Sequence, residues 1–283
     1  VELGLWWGTV EGASLVDLIE AAGTAGFAQI SVSPVLYDDA RTAGHGDTEL
    51  RQRLADAGVR VSTIDPMIAG LPGSRTPESV SKRFRATFEY DRAACFAAAA
   101  ALEAPALNIA HYLGDPTPIP QLTDAIGTIA RQGAAEGVAV LIEAIPEGGI
   151  PDLATAVQIV EGIDEPFVQL MFDTWHWWRT GASIDVVAGL APGRIRTVQT
   201  SDAPAATRGT GVQPPSPDRL QPGEGVIPLV ELLRLCLANN PAVEIGPEVF
   251  DRARMDEPAI ERAQRSFEAL RPVVAQAIAT LAG

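Results

Sequence analysis

The chain has 283 residues, 47% hydrophobic and 20% charged, the balance of a globular protein with a large core rather than of a disordered chain. Acidic residues outnumber basic ones 36 to 21, giving a formal charge of −15, and Lys82 is the one lysine, so a phosphate backbone is repelled and nucleic acid is set aside as a partner. No apolar run nears the roughly 18 residues that span a bilayer, and the opening VELGLWW has no basic flank, so a cytoplasmic protein with neither membrane segment nor signal peptide is expected.

Strand-like runs recur at Glu2–Trp6, Gln29–Ser33, Val59–Ile64, Ala106–Ala110, Val138–Glu143, Val168–Asp173, Ile195–Gln199 and Val243–Glu248. Between them lie stretches with apolar spacing near 3.6, such as SLVDLIEAAGTAG, TELRQRLADAG and DLATAVQIVEGI, several with Gly near their ends, as helix C-termini have. This alternation predicts a parallel sheet clothed in helices, and eight units closing on themselves predict an α/β fold of the (β/α)8 TIM-barrel type, a single domain over residues 1–283. No G-x-G-x-x-G turn follows the first strand, so a dinucleotide crevice is not expected. Cys95 and Cys236 sit in helix-like apolar stretches and read as two reduced, buried thiols. Two segments break the rhythm: residues 66–81, rich in Gly, Pro and Ser, and the long segment 201–225, which begins beside Gln199 and is expected to act as a lid.

In such a barrel the strand C-termini and the loops after them build the active site. Glu143, Asp173, Gln199 and Glu248 follow the runs AVLI, VQLMF, IRTV and AVEIGP, so all four side chains are expected at one mouth. Three carboxylates and a neutral amide oxygen there make a site for a hard divalent cation. All five tryptophans, Trp6, Trp7, Trp175, Trp177 and Trp178, fall at strand ends or just beyond, which suggests a wall for an apolar or aromatic group, with Trp6 and Trp175 as candidate substrate contacts. Packing beneath the lid or in a subunit interface is the competing reading. His111 ends the fourth strand and either lines the pocket or packs, while His45, in AGHGD, is expected to be exposed. Glu147 is a candidate acid/base or hydrogen-bond acceptor for substrate as well as an ordinary loop glutamate. Arg208 and Arg179 are the nearest candidates to orient an oxyanion, although no Gly-rich phosphate cradle is present.

IEA with Glu143, FDTWH with Asp173 and His176, VQTSDAP with Gln199 and Asp202, PGEG at 222–225 and GPEVF with Glu248 together resemble the xylose-isomerase-like TIM-barrel superfamily (AP endonuclease family 2). That group contains sugar isomerases and epimerases, inosose dehydratases and endonuclease IV-type nucleases, and the resemblance covers essentially the whole chain. It implies a single metal held by Glu143, Asp173, Gln199 and Glu248, with Gln199 in place of the family's histidine. A neutral oxygen donor there favours manganese, magnesium or cobalt over zinc, with manganese first. Glu143 and Glu248 are implied to be the acid/base pair on opposite faces of the substrate, and His176, three residues after Asp173, to bond the substrate oxygens or move a proton.

The expected activity is that of a metal-dependent isomerase or epimerase of a hydroxy-ketone, a sugar or cyclitol, working through an enediolate. Two alternatives stand: a lyase, either a keto-polyol dehydratase or an eliminating deglycosidase of an oxidised glycoside, and a non-catalytic accessory subunit of the same fold. Three histidines and an acidic balance argue against a three-zinc nuclease, and Lys82 lies far from the lysine position of a true xylose isomerase. The expected partner is a polyol or sugar-like small molecule, with homo-oligomer formation left open.

Overall fold

Eight parallel strands run in chain order round a nearly closed barrel: β1 (Gly4–Leu5), β2 (Gln29–Val32), β3 (Arg60–Met67), β4 (Ala106–Ala110), β5 (Ala139–Glu143), β6 (Val168–Asp173), β7 (Ile195–Thr200) and β8 (Glu244–Pro247). The ring is drawn together by the parallel bridge Leu3–Ile245 and by the Trp6 amide donating to the Pro247 carbonyl at 3.2 Å. This computed structural model describes residues 1–163, 165–208 and 219–281.

The helices are α1 (Leu15–Ala25), α2 (Pro34–Thr42), α3 (Asp47–Asp56), α4 (Arg92–Leu102), α5 (Ile119–Glu136), α6 (Leu153–Gly162), α7 (Thr174–Thr180), α8 (Ile184–Ala188), α9 (Leu229–Asn239) and α10 (Ala259–Leu281). Their starts are written locally. Ser14 and Asp17 cap α1 reciprocally, while Asp91 and Asp152 accept backbone N–H groups at the heads of α4 and α6. Gly26 ends α1 at φ 96°, in the left-handed region where a side chain is strained. Long α10 packs across α1 and α9 and so joins the two ends of the chain. Among the described residues no helix is long and apolar enough to cross a membrane. Cys95 and Cys236 are buried and unbridged, as their surroundings predict.

The strands fall within a few residues of the sequence expectation. β1 is shorter, and β3 continues past Pro66 to Met67 with a register shift against β4, so part of the expected Pro-rich loop belongs to the sheet. The rest of that segment carries a 3-10 turn at Pro77–Ser79, and another follows it at Lys82–Phe84. Of the expected lid over 201–225, residues 209–218 lie outside the described residues.

Trp6 corrects an expectation. It is fully buried inside the barrel among Ala106, Ala139, Leu141 and Met171, beneath the mouth rather than in it. Its ring takes space that other strands give up: a methyl group at Gly246 would collide with it. This is interior filling, and Trp6 has no surface left for a substrate.

Candidate functional site

Register brings the site together. Asp173 on β6 pairs with Gln199 on β7, and Glu248, one residue beyond β8, donates its backbone N–H to the Thr200 carbonyl at 2.9 Å. Gln199 Nε2 donates to Glu248 Oε1 at 3.0 Å, leaving the buried amide oxygen of Gln199 without a partner. Asp173 also caps α7: its Oδ1 accepts the backbone N–H groups of Trp175 at 2.6 Å and His176 at 3.2 Å. That first turn carries His176 back over the strand ends, where its Nε2 stands 3.7 Å from Glu143 Oε1 and 3.6 Å from Asp173 Oδ2. Among the described residues, ligand atoms of Glu143, Asp173 and His176 lie within 4.8 Å of one another, close enough to share one ion.

Three further residues complete the centre, none of them among the site residues expected from the sequence. Arg219 places Nη1 2.9 Å from Asp173 Oδ2 and 3.0 Å from Glu248 Oε2, with its guanidinium near the faces of Phe250 and Trp175. Its position is fixed by reciprocal backbone bonds between neighbouring Leu220 and Asp202 (2.8 and 2.9 Å), and the Asp202 carboxylate receives the N–H groups of Ala203, Gly223 and Ile227. Asp65, near the end of β3, is buried. Asn108 on β4 donates from one Nδ2 to Asp65 Oδ1 at 2.8 Å and Glu143 Oε2 at 2.7 Å. A signal for Asn108 does exist: it is the one polar residue in ALNIA, and a barrel strand interior spends a polar side chain only where it has partners.

Burial decides the charge states. It pushes Glu143 well above the usual carboxylate range, with Asp65 and Asp173 adding repulsion against the help of Asn108. Glu248 is likewise raised by burial, which the attraction of Arg219 does not overcome. Asp173 is equally buried, yet Arg219 and the backbone N–H at the head of α7 hold it below its ordinary value, so it stays ionised. Burial, reinforced by Arg219 and Arg179, drives His176 down to about 3 against the pull of Asp173, so its imidazole is neutral at physiological pH.

Asp65 is pushed up to about 6, mainly by burial. A carboxyl whose folded pKa is raised binds more protons folded than unfolded; its contribution to stability is complete below the unfolded value near 3.8 and is lost as pH climbs through about 6. In a chelating buffer, wild type is therefore expected to lose stability relative to Asp65→Asn between pH 4 and about 7, by on the order of 3 kcal/mol. Thermal melts across that range check it, and a pH-independent difference would remove the buried ionisation.

A cavity of about 460 Å³ opens above these groups and is lined by Asp65, Glu143, His176, Arg219 and Glu248 at its polar end. Trp7 and Trp175 also line it, as does Glu147, which is ion-paired with Arg179 at the wall. Two other expected contacts are corrected. Arg208 is exposed outside the cavity and stacks over Trp178, 4.5 Å from the ring centre, with Trp177 beside it. His111 is a loop staple: its Nε2 meets the Pro72 carbonyl at 2.8 Å and its Nδ1 accepts the Gly149 N–H at 2.8 Å. Gly114 and Gly149 press on that imidazole so closely that side chains there would strike it. His111→Ala is expected to lower stability by about 1–3 kcal/mol, because the imidazole's two hydrogen bonds are lost at about 0.5–1.5 kcal/mol each, while leaving manganese affinity unchanged. Denaturant melts beside metal titration check both halves.

The strand-end carboxylates, the imidazole on α7 and the loop guanidinium, set in a (β/α)8 barrel, define a class of barrel proteins with one acidic centre at the C-terminal mouth. Residues 16–273 match the sequence profile described as xylose isomerase-like TIM barrel, and the chain belongs to that family. Among solved structures it is similar to a zinc-bound IolI protein (16% identity, TM-score 0.82, covering 98% of this chain and 99% of the other). It is also similar to the probable 3-DHS dehydratase AsbF from Bacillus anthracis (15%, TM-score 0.72, 96% and 99%). A third is D-psicose 3-epimerase from Clostridium cellulolyticum H10 (16%, TM-score 0.67, 97% and 99%). At these identities the likeness is one of fold. No curated protein matches the chain.

Proposed function

We propose that the protein is a divalent-metal-dependent isomerase or epimerase of a hydroxy-ketone of sugar or cyclitol type. The observation that carries this reading is the buried cluster of Glu143, Asp173 and His176, whose ligand atoms lie within 4.8 Å of one another, with the Gln199 amide oxygen left without a partner on the strand beside Asp173. An orphaned buried acceptor beside such a cluster is costly unless a cation completes the set, and a set made mostly of oxygen donors suits manganese first, with magnesium, cobalt or zinc as alternatives. When bound, such an ion polarises the substrate carbonyl and stabilises the enediolate charge.

The chain's own residues do the rest. Glu143 and Glu248 both line the cavity and both have raised proton affinity, so one can take the carbon-bound proton while the other holds a proton to return. Neutral His176 offers a hydrogen bond to a substrate oxygen without adding charge. Arg219 keeps Asp173 and Glu248 in place and screens their repulsion. The test is metal analysis followed by solvent-deuterium incorporation into ketoses and inososes with Mn²⁺ added. Deuterium at a substrate carbon supports enolisation. Loss of a hydroxyl or glycosyl group in the product would favour the lyase reading, and stoichiometric metal without exchange into any candidate would favour the accessory subunit.

A further inference from the structure

We infer that the substrate carries an apolar, ring-sized body beside its hydroxy-ketone head, seated against Ile68, Phe84, Tyr112 and Ile145; the head rests on the function proposed above. The cavity has two unlike ends. Its polar groups come from the ends of β3, β5, β6 and β8 and from Arg219. The loops after β3, β4 and β5 add Ile68, Phe84, Tyr112 and Ile145, with Ala110 at the end of β4, and of their polar residues Thr87 and Glu147 also reach the lining.

Those loops form an apolar cluster of their own. Ile68, Phe88, Ala110 and Ile145 are buried together, with Phe84, Tyr112 and Leu113 packed on them, separate from the cluster that fills the barrel wall. The rings of Phe84 and Tyr112 meet edge to face, 5.8 Å apart. Loops ordinarily turn polar groups to water; here they line the cavity with hydrocarbon. Charged lining residues on the outer side, such as Glu11, Asp39 and Arg252, are half-buried or exposed.

A free polyol does not suit that end. A hydroxyl moved against Ile68, Phe84 and Ile145 would lose water to hydrocarbon, with the Tyr112 hydroxyl the one polar group among the four seat residues, whereas an apolar ring releases water from both surfaces. Size agrees: about 460 Å³ falls within the roughly 300–1,000 Å³ of pockets that enclose drug-sized ligands.

The test uses two probes with one head: hydroxyacetone, and 2-hydroxyacetophenone, in which phenyl replaces methyl. Their dissociation constants for the manganese-treated full chain are measured by calorimetry, beside solvent-deuterium exchange at the carbinol carbon. Wild type is expected to bind the phenyl ketone about tenfold or more tightly than the methyl one. Ile68→Ser and, at the half-buried position, Phe84→Ser are each expected to erase most of that ratio while leaving hydroxyacetone binding unchanged. Equal affinities, no binding of the phenyl ketone, or a phenyl preference that survives in both folded variants would each overturn the inference. Exchange without phenyl preference overturns the apolar seat and leaves the proposed function standing; phenyl preference without exchange does the reverse.

Discussion

Glu143→Gln and Glu248→Gln are each expected to lower solvent-deuterium exchange into the true substrate by about 10²–10⁴-fold, the range in which a positioned acid or base contributes. Both changes keep the size of the side chain and remove its proton chemistry. At position 143 the fold should not suffer, because the native carboxylate is buried beside Asp65 and Asp173 and repelled by both. Glutamine can still offer an oxygen to Asn108, whose Nδ2 now bonds Glu143 Oε2 at 2.7 Å. The Glu143→Gln melting temperature in chelator should therefore equal or exceed that of wild type, while its manganese affinity falls. Loss of exchange with an intact melt locates the defect in chemistry; undiminished exchange would remove Glu143 from the acid/base pair.

Arg219→Gln is expected to destabilise the metal-free protein by about 3 kcal/mol, at the low end of the cost of removing one partner from a buried ion pair. Asp173 and Glu248 would lose the cation that stands 2.9 and 3.0 Å from them, and glutamine is too short to replace both contacts. Partial protonation of Glu248, whose proton affinity is already raised by burial, softens the loss. For a chain of this length the melting temperature should drop by about 5 °C. Manganese should restore more of it in the variant than in wild type, since an added cation takes over the missing charge. A melt in chelator that matches wild type would mean that Arg219 carries no charge compensation.

Much of this site is legible in the sequence because a parallel barrel turns local pattern into position. Glu143, Asp173, Gln199 and Glu248 each end or closely follow an apolar run, and the fold delivers such residues to one mouth whatever lies between them. His111 has the same local signature, one residue after β4, but its function is decided by Pro72 and Gly149 on two other loops. Trp6 follows a strand as well; what draws it inward is space made by glycine and alanine on distant strands. Arg219 lies in a segment with no periodicity at all, and the Asp202–Leu220 backbone bonds help bring it over the centre. Placement that depends only on a strand end is therefore legible in the sequence, and placement that depends on which loop faces which is not.

The two oxygens of Asp173 are committed in different directions, Oδ1 to the backbone at the head of α7 and Oδ2 to the centre of the cavity. One residue thus anchors both the acidic centre and the short helix that carries Trp175 and His176. A chain descending from this one could lose Glu143 and keep the helix that carries Trp175 and His176 in place. Losing Asp173 would unfasten both together, so among the acidic residues here it is the one whose replacement a drifting sequence could least absorb.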